Sequence, residues 1–123
     1  MSVLESEQKY LINAQDGANN LERATISYIL AVSSSKTFET VMFVSAEASQ
    51  FCIKGAVDGL VSKGLEPIAD LQAAFIENGG KIWICPACVR AKGIAEDDLI
   101  TGVEIAGAPR AMEFLANGAK VLA

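Results

Sequence analysis

Histidine is absent from this 123-residue chain. Its absence removes the usual general base at neutral pH, the usual proton shuttle and the commonest metal ligand. Positive charge is in deficit, with 10 Lys and Arg against 15 Asp and Glu and a net charge of −5. That balance argues against a nucleic-acid groove or an anionic membrane surface as partner. No apolar run approaches the ~18 residues of a membrane span. Glu5 and Glu7 stand where a secretion signal needs apolar residues, so no export is expected. Neither a dinucleotide-type nor a P-loop-type glycine fingerprint occurs, which argues against nucleotide chemistry. Internal repeats, low-complexity tracts and long linkers are also missing. One domain spanning residues 1–123 is expected, with residues 1–8 frayed.

Cysteine is scarce and odd in number, with three residues. Without an export signal the chain is expected in a reducing cytoplasm, where thiols more often do chemistry than cross-link structure. A tetrahedral zinc site needs four ligands. With no histidine and Cys52 as the one cysteine outside the Cys85–Cys88 pair, neither a metal nor another cofactor is expected.

What is present is an apolar chain, 51% hydrophobic and 20% charged, long enough to bury a core without staples. Lys9 to Ala14, Thr40 to Val44, Ile82 to Cys85, Val103 to Ala106 and Ala119 to Leu122 read as five strands. The second is apolar throughout, as suits a strand covered on both faces. Leu21, Ala24, Tyr28 and Val32 recur at helical spacing, with Asn19 or Asn20 as N-cap. Ile68 to Glu77 forms an amphipathic helix closed by Asn78-Gly79-Gly80. Phe51, Ile53, Val57, Leu60 and Val61 suggest a further helix, although Gly55 and Gly59 oppose it. Pro86 to Lys92 is a turn or two of helix, Leu99-Ile100 follows Asp97-Asp98 as another short helix, and Pro109 opens the last one. Strands alternating with helices imply a three-layer α/β/α fold with a five-stranded, mainly parallel sheet.

In such a sheet functional groups gather beyond the C-terminal ends of the strands. Four turns lie there: residues 15–20, 45–50, 85–88 and 107–110. The third carries the sharpest chemistry. Cys85 ends an apolar strand and Pro86 suits the first position of a helix, where its missing N–H would have had no partner. The N–H groups of Ala87 and Cys88 can then point back at the sulfur and favour the thiolate. Cys85 is therefore the candidate catalytic residue. Cys88 joins it either as a resolving thiol or as a core residue of the next turn. Cys52, between Phe51 and Ile53, reads as packing. Gln15, Asp16 and Gly17, with Asn19 and Asn20, either hold a small polar ligand or simply cap the first helix. Pro86 and Arg90 complete the candidate binding residues. Arg90 and Lys92 either complement a helix C-terminus or present a basic rim. Trp83 and Phe75 read as core, and Glu96, Asp97 and Asp98 as a solvated turn.

Cys85 followed by Arg90, Lys92 and Gly93 resembles the cysteine region of the DsrE/DsrF-like (YchN-like) family of small sulfur-relay proteins. The Gln15-Asp16-Gly17 turn, the stretch from Ile53 to Leu60, the segment from Val103 to Gly107 and Lys120-Val121-Leu122 resemble family segments too. The resemblance implies an α/β/α domain that assembles into trimers or hexamers. It implies that Cys85 carries a persulfide between sulfur donor and acceptor proteins, without independent turnover. The second cysteine departs from relay members that have one here. Two other readings stay open: a dithiol redox protein using Cys85 and Cys88, and a non-catalytic oligomeric binding module.

Overall fold

The fold is described from a computed structural model, in which residues 7–122 are placed. Most of the segment expected to fray therefore falls outside the described residues. The strands are β1 (Lys9–Ala14), β2 (Glu39–Val44), β3 (Lys81–Ile84), β4 (Val103–Ile105) and β5 (Ala119–Leu122). The helices are α1 (Leu21–Ser35), α2 (Ile68–Glu77), α3 (Pro86–Ala91) and α4 (Ala108–Ala116). The five strands form one sheet in the order β4-β3-β2-β1-β5, and every pair is parallel. This is the expected α/β/α arrangement.

Sheet position explains strand composition. β2 is central, and Val41, Met42 and Val44 are buried on it, alternating between the two faces. β4 and β5 are the edges and keep Glu104 and Lys120 exposed, which discourages pairing with other chains. On one face Ile12, Ala14, Met42, Val44, Ile82 and Ile84 pack with Ala24, Tyr28 and Ala31 of α1 and Leu71 and Phe75 of α2. On the other, Leu11, Val41 and Trp83 lie beneath Ala111 and Phe114 of α4. The chain steps from β1 to β4 in one direction and then returns past β1 to β5. Right-handed crossovers require the returning helix to lie on the opposite face, which is where α4 sits.

Local signals set the helix ends. Asn20 Oδ1 accepts from the Arg23 N–H at 3.2 Å and caps α1. At the end of α2, Gly80 N–H reaches the Phe75 carbonyl (2.9 Å) and Gly79 N–H the Ile76 carbonyl (3.0 Å), with Gly79 at φ +91°. Gly80 has a further reason: a Cβ there would fall 2.3 Å from the Phe75 ring. Between α1 and α2, Gln72 Nε2 donates to Tyr28 Oη (3.0 Å) and to the Phe51 carbonyl (2.9 Å). One buried amide thus ties both helices to the segment after β2.

Two expected helices are corrected. After β2 the chain forms a 3-10 segment, Ala46–Cys52, and then successive turns rather than a helix to Val61. Gly55 (φ +80°) and Gly59 (φ +76°) adopt left-handed backbone that a helix forbids. Leu99 and Ile100 are not helical either; the 3-10 turn is Glu96–Asp98, and Leu99 pairs with Ile53 in an antiparallel bridge. Lys54 N–H to the Asp98 carbonyl (2.8 Å) and Ile100 N–H to the Cys52 carbonyl (2.9 Å) complete this small ladder. Pairing across the chain outweighed a weak local helical pattern.

Candidate functional site

Because all five strands run the same way, the loops after β1, β2, β3 and β4 share one edge of the sheet, and each touches its neighbour. A Cβ on Gly107 would stand 3.4 Å from the Pro86 ring, so the loop after β4 backs onto the start of α3. The Cys85 N–H donates to the Val44 carbonyl (3.0 Å) and the Ser45 N–H to the Ala14 carbonyl (3.1 Å). Ala48 N–H donates to the Gln15 carbonyl (3.1 Å). Gly17 presses on the Glu47 carbonyl so closely that a Cβ would sit 2.4 Å from its oxygen.

Cys85 stands at the hinge between β3 and α3. Its φ and ψ, −61° and 123°, are extended, and it occupies the N-cap with Pro86 just inside the helix. The expected strand end moves back one residue to Ile84, leaving Cys85 half-buried at the edge. Partial burial pushes the Cys85 thiol up. Hydrogen bonds from the Cys88 N–H, the Cys88 thiol and the Ala87 N–H, with the Arg90 charge, together outweigh it and leave the group below its ordinary value. The Cys88 N–H also donates to the Cys85 carbonyl at 3.1 Å, and no amide makes an ideal capping bond to the sulfur.

Cys88 is half-buried one turn on, facing the loop after β2. Its Sγ accepts from the Ala46 N–H at 3.2 Å. Ala46 is a non-glycine residue at φ +51°, a left-handed conformation that costs roughly 1–2 kcal/mol. Lys92 Nζ meets Glu47 Oε1 at 3.3 Å across the same gap. Lys92 is thus paired within the chain, whereas Arg90 is exposed and its charge lowers the Cys85 thiol. Cys52 is fully buried, and burial pushes its thiol up to about 12. At neutral pH it is a protonated, inaccessible packing group. Among the described residues no group of three or more Cys, Asp and Glu side chains is placed to hold a metal ion.

The first loop is largely self-satisfied. Asp16 pairs with Arg23 (3.1 Å) and accepts from Asn19 Nδ2 (3.2 Å), while Asn19 Oδ1 accepts from the Gly17 N–H (2.7 Å). Gln15 and Asp16 line an open cleft of about 180 Å³ with Arg23 and Ser27 of α1. That cleft lies beyond β1, two strands from Cys85, and the cysteines do not line it. Of the residues singled out in the sequence, Cys85, Cys88, Pro86 and Arg90 come together. Gln15, Asp16 and Gly17 share the edge and reach the pair only through the loop after β2. Sequence reasoning missed Ala46 and Glu47, which touch Cys88 and Lys92. An alanine in left-handed backbone leaves no signal in a sequence. On the α4 face, Arg110 lies over the Trp83 ring (4.7 Å) and pairs with Glu104. Trp83 is core, packed edge-on against Phe114 with centroids 5.6 Å apart.

Comparison with known proteins agrees with this architecture. The pattern of the DsrE/DsrF-like family matches residues 8–123. An uncharacterized protein of Methanocaldococcus jannaschii is 27% identical over 117 residues, covering 94% of this chain and 42% of that protein. The chain thus spans less than half the length of that relative. Among solved structures, the ychN protein from E. coli superposes with a TM-score of 0.76 at 21% identity, covering 94% of this chain and 97% of that one. A protein of unknown function from Methanobacterium thermoautotrophicum gives 0.66 at 12% identity, with the same coverages. One from Bacteroides thetaiotaomicron gives 0.60 at 17%, covering 93% and 92%. At these identities the structures speak for the fold alone.

Proposed function

The chain belongs to the DsrE/DsrF-like family, and from that membership we propose that it carries sulfane sulfur as a persulfide on Cys85. The observation that supports this most is the contrast between its thiols. Cys52 is sealed in the core with its thiol pushed up, whereas Cys85 stands half-buried at the sheet edge with its thiol lowered. A thiolate is the form that attacks sulfur. Attack of the Cys85 thiolate on the outer sulfur of a donor persulfide, R–S–S⁻, forms Cys85–S–S⁻ and releases R–S⁻. An acceptor thiolate then takes the outer sulfur by the same exchange, and Cys85 returns to its starting state. Backbone N–H groups of α3 and the Arg90 charge stabilise the anion. The partners are a sulfur donor protein and an acceptor protein. The protein works in the cytoplasm as a trimer or hexamer and is a carrier without independent turnover.

Intact-mass measurement immediately on loading from a persulfide donor, before any later loss of the outer sulfur, tests the proposal. One added sulfur, about 32 Da, is expected, because sulfane transfer leaves a single atom on the attacking thiolate. The Cys85→Ser variant should gain none while Cys88→Ser gains it fully. An adduct that persists in Cys85→Ser would overturn the assignment.

A further inference from the structure

The family resemblance gives no role to the second cysteine, yet the fold places it with care. Cys85 and Cys88 are three residues apart across one closed turn, with the Cys88 and Val89 N–H groups both bonded to the Cys85 carbonyl at 3.1 Å. Residues three apart on a helix have Cβ atoms about 5–6 Å apart. A disulfide brings Cβ atoms to roughly 3.5–4.5 Å, so closure draws the two residues together by about 1–2 Å, a movement open to Cys85 because it is the N-cap and lies outside the regular helix. Both thiols are free in this structure. The Cys88 sulfur is held from behind by the Ala46 N–H and lies close enough to Cys85 to lower its thiol. The Lys92–Glu47 pair holds the loop that supplies the amide.

We propose that Cys88 is an internal discharge thiol, which clears the Cys85 persulfide as sulfide when no acceptor takes it. The inference rests on the carrier reading and describes how that same site is regulated. The Cys88 sulfur attacks the inner sulfur of Cys85–S–S⁻. A Cys85–Cys88 bond forms, the bond to the outer sulfur breaks, and that sulfur leaves with the electron pair and the Cys88 proton as HS⁻. Atoms and charge balance, and no external oxidant enters. Attack in line with the breaking bond requires the outer sulfur to lie on the side of Cys85 away from Cys88. Two equivalents of a thiol reductant then reopen the disulfide, giving one oxidised thiol pair and the starting dithiol. Acceptor proteins therefore compete with Cys88, and an unclaimed persulfide ends as sulfide and a locked, unreactive site.

The test uses glutathione persulfide as the probe. Reduced protein is loaded, freed of donor by rapid desalting, and followed by intact mass and by sulfide release, for wild type, Cys88→Ser and Cys88→Ala. Wild type is expected to end about 2 Da below the reduced mass, because disulfide closure removes two hydrogens, with one equivalent of sulfide per chain. Both Cys88 variants are expected to hold the added sulfur and release none. If wild type keeps the adduct as long as the variants do, the discharge role is wrong while carriage stands. If the disulfide forms without sulfide, ordinary disulfide exchange made it and the proposal fails. If no chain, variant or wild type, gains sulfur or releases sulfide, carriage itself fails and discharge with it. Using two variants guards against a fold defect in either one.

Discussion

Raising the pH should weaken this fold through one buried thiol, by an amount the structure sets. Cys52 is fully buried among the core residues, and burial pushes its thiol from 9.0 to about 12. The unfolded chain releases that proton near 9.0, whereas the folded chain keeps it. Above pH 9 the native state therefore binds more protons than the unfolded state, and stability falls as pH rises. The stability is fully present below 9.0 and is lost progressively toward 12. Each pH unit inside that window costs about 1.4 kcal/mol. Between pH 8 and pH 10 the loss due to Cys52 is about 1.4 kcal/mol, since only the upper unit lies in the window. Cys52→Ala removes the titration. At pH 8 it lowers stability through the cavity by about 1–2 kcal/mol, but it flattens the pH dependence, so the deficit against wild type shrinks by about 1.4 kcal/mol at pH 10. Urea unfolding at pH 8 and pH 10 under reductant, followed by the single tryptophan, Trp83, beneath α4, measures both quantities. Tyr28, pushed up mainly by burial, with the Cys52 charge adding in wild type alone and Gln72 opposing in both chains, contributes above pH 10. Cys85 and the surface groups are likewise common to both. A pH 8 to 10 loss that is the same in wild type and variant would refute the reasoning, because it would mean that Cys52 meets solvent in the native state.

The lowered Cys85 thiol carries the opposite sign. Its alkylation by iodoacetamide should precede that of Cys52 and should reach half its limiting rate below the ordinary thiol value of 9.0, with Arg90→Gln moving that midpoint upward; an unmoved midpoint would exclude Arg90 from the site. Gly17→Ala drives a Cβ into the Glu47 carbonyl at 2.4 Å, a backbone neighbour that cannot rotate away. It should destabilise the chain by about 1–3 kcal/mol, read as a lower urea midpoint, and a neutral result would show that the loops after β1 and β2 are not packed together.

The elements whose physics is local were legible in the sequence. β1 and β5 have the expected bounds, and so does α2, because an apolar stripe and an Asn-Gly-Gly terminator define that helix without outside help. Cys85 at a strand-to-helix junction was legible for the same reason: Pro86 marks a helix start wherever the chain goes next. The stretch from Phe51 to Val61 was misread because its apolar spacing fits a helix, while the Lys54 N–H donates to the Asp98 carbonyl and the Cys52 carbonyl accepts from the Ile100 N–H across the fold. Long-range pairing has no local signature.

By itself the sequence determined the layer architecture and the parallel sheet, and it put Cys85 at the junction of a strand and a helix. Alternation of apolar runs, glycine and proline is enough to specify these, since hydrophobic burial and backbone sterics act residue by residue. Only the tertiary structure decided which cysteine is sealed and which is open. It also decided that Asp16 and Lys92 are spent on Arg23 and Glu47, and that Cys88 is held by an amide 42 residues away in the chain. Those outcomes depend on which groups meet when β2 and β3 lie side by side, and electrostatics between groups brought together by folding is invisible until they touch.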